Sequence, residues 1–121
     1  MVKILIAEDD RDIRELVVLT LGFNGFVVTG VEDGRFAVEE ASQNSYDLIL
    51  LDVNMPRATG YEACREIRHG GMNQETPIII LSASGQEEER FQGLEAGANG
   101  YVVKPFAPDV LVQKINSMLN E

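Results

Sequence analysis

The stretch Leu48-Ile49-Leu50-Leu51-Asp52-Val53-Asn54-Met55-Pro56 holds four consecutive apolar residues, then an acid, then a loop marked by Met55-Pro56 and Gly60. A short apolar run bounded by turn signals reads as a buried strand. The same grammar recurs on both sides. Ile4-Leu5-Ile6-Ala7 leads into Glu8-Asp9, Ile78-Ile79-Ile80-Leu81 into Ser82, and Tyr101-Val102-Val103 into Lys104. Segments with helical spacing lie between these runs. Strands alternating with helices form a parallel sheet, and ligands of such sheets bind at the carboxyl ends of the strands. Three carboxylates, a hydroxyl and an ammonium are therefore expected along one edge.

The intervening pattern predicts five strand–helix units. The strands are Lys3–Ala7, Phe26–Val31, Leu48–Leu51, Ile78–Leu81 and Gly100–Val103. The helices are Arg11–Leu21, Gly34–Ser42, Tyr61–Arg68, Glu87–Ala96 and a last one from Pro108, with Leu111, Ile115, Met118 and Leu119 on one face. In the first helix the inward stripe is Ile13, Leu16, Val17 and Leu21. Strands one, three and four are almost wholly apolar, as expected when helices cover both faces, whereas the more polar second strand suits an edge. The expected architecture is α/β: a single doubly wound, flavodoxin-like, five-stranded parallel sheet with five helices. Its order, taken from the doubly wound pattern, is 2-1-3-4-5, with the switch point between strands one and three.

With 121 residues, 1–121 reads as one domain. A hydrophobic share of 45% supports a self-sufficient core. No apolar run exceeds four residues, which excludes a membrane span and a signal-peptide core. The formal charge of −10 argues against direct contact with nucleic acid or an anionic membrane. The single Cys64 stands on a helical pattern as a small core residue, and a cytoplasmic location follows. Glu87-Glu88-Glu89 reads as a solvated first helical turn favoured by the helix dipole, Asp10 as a helix cap, and His69 as a surface residue near a helix end.

Clustered carboxylates repel one another, and a hard divalent cation relieves the repulsion. Oxygen-only donors favour Mg²⁺ over softer metals. Asp9 and Asp52 are the best direct ligands. Glu8 can act directly or through water, and the Asn54 backbone carbonyl can complete the shell. A metal-held carboxylate beside a lysine is also a phosphoryl acceptor. Asp52, on the central strand, is the candidate nucleophile. Lys104 would neutralise charge on the transferring oxygens and Ser82 would donate to one of them.

The segments Ile4-Leu5-Ile6-Ala7-Glu8-Asp9-Asp10, Leu50-Leu51-Asp52-Val53-Asn54-Met55-Pro56, Leu81-Ser82-Ala83 and Gly100-Tyr101-Val102-Val103-Lys104-Pro105-Phe106 closely resemble the receiver domains of two-component response regulators. The resemblance covers essentially the whole chain. Asn54 and Ala96-Gly97-Ala98-Asn99-Gly100-Tyr101 make it similar to chemotaxis receivers in particular. It implies a phosphorylation switch in which Asp52 accepts a phosphoryl group from a histidine kinase or histidine phosphotransfer protein. Glu8, Asp9 and Asp52, with the Asn54 carbonyl, would hold Mg²⁺. Ser82 would be the switch hydroxyl, Lys104 the phosphate-pairing lysine and Tyr101 the switch aromatic. The face made by helix four, strand five and helix five would then control an output domain or target protein. The resemblance also implies a cis Lys104–Pro105 bond, which X–Pro pairs can adopt. One departure is Ala58-Thr59-Gly60, where the family often has Met-Asp-Gly.

Two other functions share the expected fold. A Mg²⁺-dependent phosphatase with an aspartyl-phosphate intermediate usually has a second acid two residues after its nucleophile; here that position is Asn54. A flavin carrier would need a Gly/Ser/Thr-rich loop after strand one, which this chain lacks. The favoured reading is therefore a phosphoacceptor rather than an enzyme, capable at most of self-catalysed transfer and autodephosphorylation. It fits both a stand-alone receiver and the N-terminal part of a longer regulator.

Overall fold

The structure, a computed structural model, describes residues 1–120. Five strands and five helices alternate: β1 Lys3–Ala7, α1 Arg11–Phe23, β2 Val27–Val31, α2 Gly34–Gln43, β3 Leu48–Asp52, α3 Gly60–His69, β4 Ile78–Ser82, α4 Glu87–Ala96, β5 Gly100–Val103 and α5 Pro108–Leu119. All strand pairs are parallel, and the order is β2-β1-β3-β4-β5. The expected doubly wound sheet and its order are therefore what the chain adopts. β2 begins one residue later than the pattern suggested, and β3 and β4 run one residue further, taking in Asp52 and Ser82.

The apolar runs are sorted by the two-residue period of a strand. Leu5, Ala7, Ile49, Leu51, Ile78 and Ile80 face α2, α3 and α4, where Ala37, Ala41, Ala63, Cys64, Ile67 and Ala96 meet them. Ile4, Ile6, Leu48, Leu50, Ile79 and Leu81 face Val17 and Leu21 of α1 and Leu111 and Ile115 of α5. Burying one such aliphatic side chain stabilises the fold by about 1.5–3 kcal/mol. Leu16 corrects the expected α1 stripe: it is 51% exposed. Val17 and Leu21 point at the sheet, while Leu16, one position round the helix, borders Phe106, Pro108 and Leu111 at the α1–α5 seam. No helix is long and apolar enough to cross a membrane among the described residues.

Two polar clamps fasten the end of the sheet remote from the acidic residues. Asn73, fully buried, donates to the carbonyls of Ala41 (2.6 Å) and Asn44 (2.7 Å) and accepts from the Tyr46 amide (2.8 Å) and the Thr76 hydroxyl (2.9 Å). Arg68 of α3 donates to the Gly97 carbonyl (2.9 Å) and to Asn99 Oδ1 (2.7 Å), and that same oxygen accepts from the Ile78 amide (2.9 Å). An open groove lined by Tyr46, Asp47, Gln74, Glu75 and Pro77 lies at this end and shares no residue with the acidic cluster.

Candidate functional site

Sheet register places the acidic residues. Ala7 pairs with Leu51 and Asp52 with Leu81, so Glu8, the residue directly after β1, comes out beside Asp52. Ser82 pairs with Val103, and the Lys104 amide donates to the Ser82 carbonyl at 2.6 Å. Lys104 then reaches back across the end of β4. Its Nζ lies 3.0 Å from Asp52 Oδ1 and 2.6 Å from Glu8 Oε1. Carboxylate oxygens of Glu8, Asp9 and Asp52 lie within 4.8 Å of one another. Four side chains named from the sequence thus converge at one edge, and Ser82 ends the neighbouring strand at that same edge. The Lys104–Pro105 peptide is cis.

Burial differs sharply among these groups. Glu8 and Asp52 are buried, whereas Asp9 is exposed and borders solvent. Burial pushes the Glu8 carboxyl up to about 7, opposed by its contact with Lys104 and reinforced by the charge of Asp52. Burial also raises the Asp52 carboxyl, again against the pull of Lys104. For Lys104, burial alone would lower the ammonium, but hydrogen bonds to Glu8 and Asp52 outweigh it and hold the group above its ordinary value. The lysine charge relieves part of the repulsion between the two buried carboxylates.

A divalent cation fits this donor set. Glu8 Oε1 is buried against the Lys104 ammonium at 2.6 Å. Three carboxylates grouped this closely, with no histidine or cysteine among them, suit Mg²⁺. The Asp10 side chain takes no part in the cluster, although its amide donates to Glu8 Oε2 at 3.3 Å. It caps α1, accepting from the amides of Asp12 (2.9 Å) and Ile13 (3.2 Å), as its position before the helix suggested.

The loop that carries Asn54 folds tightly under Asp52. The Val53 amide donates to the Leu81 carbonyl (2.9 Å) and the Gly60 amide to the Val53 carbonyl (3.0 Å). A Cβ on Gly60 would sit 2.4 Å from the Asp52 carbonyl oxygen, so only glycine allows α3 to start there. In the departure from the family pattern, Ala58 is buried and Thr59 forms a capping box with Glu62.

Ser82 Oγ accepts from the Ser84 amide at 3.1 Å. Tyr101 is half-buried and packs against the core, and its hydroxyl donates to the Ser84 carbonyl at 2.5 Å. Three contacts escape sequence reading: Ser84 as the shared partner of Ser82 and Tyr101, the Arg14 guanidinium on the Glu8 carbonyl (2.7 Å), and a pair between Arg57 and Asp33. Only Asp33 carried a signal, standing directly before a helix. Burial raises the Cys64 thiol to about 11, in keeping with a core residue.

The family model of the response regulator receiver domain matches residues 4–116. The chain belongs to this family. It is 41% identical over 117 residues to the transcriptional regulatory protein ResD of Bacillus subtilis, covering 97% of this chain and 48% of ResD. It is 38% identical to the phosphate regulon regulator PhoB of Escherichia coli, covering 97% and 51%. The receiver therefore spans about half the length of the curated relatives it matches. Among solved structures, chemotaxis protein CheY4 of Vibrio cholerae superposes with a TM-score of 0.92 at 36% identity, covering 97% of this receiver and 98% of CheY4. The receiver domain of the sensor histidine kinase PA1611 of Pseudomonas aeruginosa, solved with a magnesium ion in its active-site cleft, gives 0.91 at 35% identity and 98% coverage of both.

Proposed function

We propose that this receiver is a phosphorylation-driven switch in two-component signalling, with Asp52 as its phosphoacceptor. The carrying observation is the contact of the Lys104 ammonium with Asp52 and Glu8 inside a cluster of three carboxylates. The donor would be a phosphohistidine of a sensor histidine kinase or histidine phosphotransfer protein. An Asp52 oxygen forms the new P–O bond as the P–N bond breaks, and the bonding pair returns to the imidazole ring. Mg²⁺, held by Glu8, Asp9, Asp52 and the Asn54 carbonyl, would neutralise charge on the transferring oxygens. Lys104 supplies the remaining positive charge, and its double contact already aims it at the acceptor.

Ser82 connects this chemistry to the surface. Its hydroxyl hydrogen is free to be donated to a phosphoryl oxygen while Oγ accepts from the Ser84 amide. Drawing Ser82 toward Asp52 pulls on Ser84, whose carbonyl holds Tyr101. Reversing a 1:99 population requires about 5.5 kcal/mol of differential interaction, and one charged hydrogen bond contributes about 1.5–3 kcal/mol. Ser82, Lys104 and the cation must therefore act together. The affected face comprises α4, β5 and α5, where Phe91, Leu94 and Val110 are exposed. It would control an output domain or target protein by protein contact, without direct binding of nucleic acid or membrane. The charge of −10 and the unpaired Cys64 suit a cytoplasmic setting.

The test is labelling by acetyl phosphate with Mg²⁺, read by intact mass. The wild type should gain one phosphoryl group and Asp52→Asn none. Labelling that persists in Asp52→Asn would overturn the assignment.

A further inference from the structure

The tip of the loop between β3 and α3 is strained. Arg57 has φ +70°, in the left-handed region that residues other than glycine adopt at an energetic cost. Such a conformation persists only where its surroundings over-determine it, and here they do. Arg57 Nε donates to Asp33 Oδ2 at 2.8 Å, and a second guanidinium nitrogen donates to Oδ1 at 3.2 Å. The guanidinium also lies 4.7 Å from the centre of the Phe36 ring. Asp33 is itself buried and caps α2 by accepting from the Phe36 amide at 2.9 Å. One residue on, a Cβ on Gly34 would stand 2.2 Å from the Ala58 carbonyl oxygen. The absence of that atom lets the N-terminus of α2 press directly against the loop.

None of these groups touches Glu8, Asp9, Asp52 or Lys104. What they hold is the far side of the turn that presents Asn54. Its near side is fixed by the Val53 amide on the Leu81 carbonyl and by buried Met55. A half-exposed ion pair adds little to stability by itself, and the strained backbone works against even that. Positioning remains as the reason for the arrangement.

We propose that the Arg57–Asp33 pair is a positioning device for the cation site, anchoring the strained loop tip to α2 so that the Asn54 carbonyl is held in register with the three carboxylates. This rests on reading Glu8, Asp9, Asp52 and Asn54 as the Mg²⁺ ligands. Arg57 and Asp33 are positioning residues that act through the loop.

The experiment is calorimetric titration of Mg²⁺ into the wild type, Arg57→Gly, Asp33→Asn and the double variant. Glycine relieves the left-handed strain while removing the anchor, and asparagine keeps the cap of α2 while weakening the pair. Each single variant should bind Mg²⁺ about three- to tenfold more weakly, at or below the loss typical of groups that support metal ligands. The unfolding midpoint of the Mg²⁺-free protein should move by less than about 4 °C. The double variant should be no weaker than the worse single one, since both remove the same contact. Arg57→Lys should recover part of the loss. Unchanged affinity in both single variants, or fully additive losses, would overturn the proposal. A wild type that takes up no Mg²⁺ would instead overturn the cation-site reading beneath it.

Discussion

The hydroxyl of Tyr101 donates to the backbone carbonyl of Ser84 at 2.5 Å. The ring, carried by β5, is thereby held against the core beside Gly93 of α4. Arg90 adds a cation over the ring at 5.3 Å from its centre.

Replacing Tyr101 with Phe keeps the ring and deletes the tether. A neutral hydrogen bond contributes about 0.5–1.5 kcal/mol, so amide exchange across residues 84–90 should speed up by about two- to tenfold. Labelling of Asp52 by acetyl phosphate should be unchanged. Mass-spectrometric hydrogen exchange reads the first effect and intact mass the second.

The acid–base behaviour of Glu8 predicts an unusual pH profile. Its carboxyl is raised from 4.5 to about 7 in the folded chain, so the folded state binds the proton more tightly than the unfolded state does. The associated stability is complete below about 4.5 and disappears as pH rises through 7. Asp33 shifts the other way under the influence of Arg57, and its contribution is complete above the usual carboxylate range. The midpoint of the Mg²⁺-free protein should therefore fall between pH 5 and 8. Saturating Mg²⁺ should raise it more at pH 8 than at pH 5. Thermal scans with and without the ion check both signs.

Two glycine substitutions should diverge. In Gly34→Ala the new Cβ meets the Ala58 carbonyl at 2.2 Å and backbone must move, with an expected loss of about 1–3 kcal/mol. In Gly93→Ala the nearest atoms are 3.6–3.8 Å away, an ordinary contact, and the gain in helix propensity is up to about 1 kcal/mol. Urea unfolding should move the midpoint down for the first and up for the second.

Asn73→Ala tests the remote clamp. It removes the partners of two carbonyls and an amide at a buried position. One unsatisfied buried group costs about 1–3 kcal/mol, so a loss of at least that size is expected. The Asp52 chemistry, at the other edge of the sheet, should be spared: the rate of acetyl phosphate labelling at a temperature where the variant is folded should equal that of the wild type.

Much of this was legible in the chain because strand ends are legible. Four apolar runs named four strands, and the residue after each run named a group at the site. Asp52 and Ser82 proved to be the last residues of their strands, a difference of one position that leaves their side chains at the same edge. The α1 stripe was misread at Leu16 because spacing does not tell which flank a neighbouring helix covers. Arg57–Asp33 was invisible for a different reason. The two lie 24 residues apart, and the left-handed turn at Arg57 is a backbone property that no residue type announced. Ser84 was missed because its carbonyl and amide, not its side chain, make the connection.

The Arg68 clamp has a mechanical consequence. It ties the last turn of α4 to α3 through the Gly97 carbonyl, while the first turn has no side-chain cap at Gln86. The first turn is nevertheless held, because the Tyr61 hydroxyl of α3 donates to the Glu89 carbonyl at 3.1 Å. α4 is thus stitched to α3 near both of its ends. The exposed Phe91 and Leu94 lie between the two stitches, on a span that α3 braces from beneath.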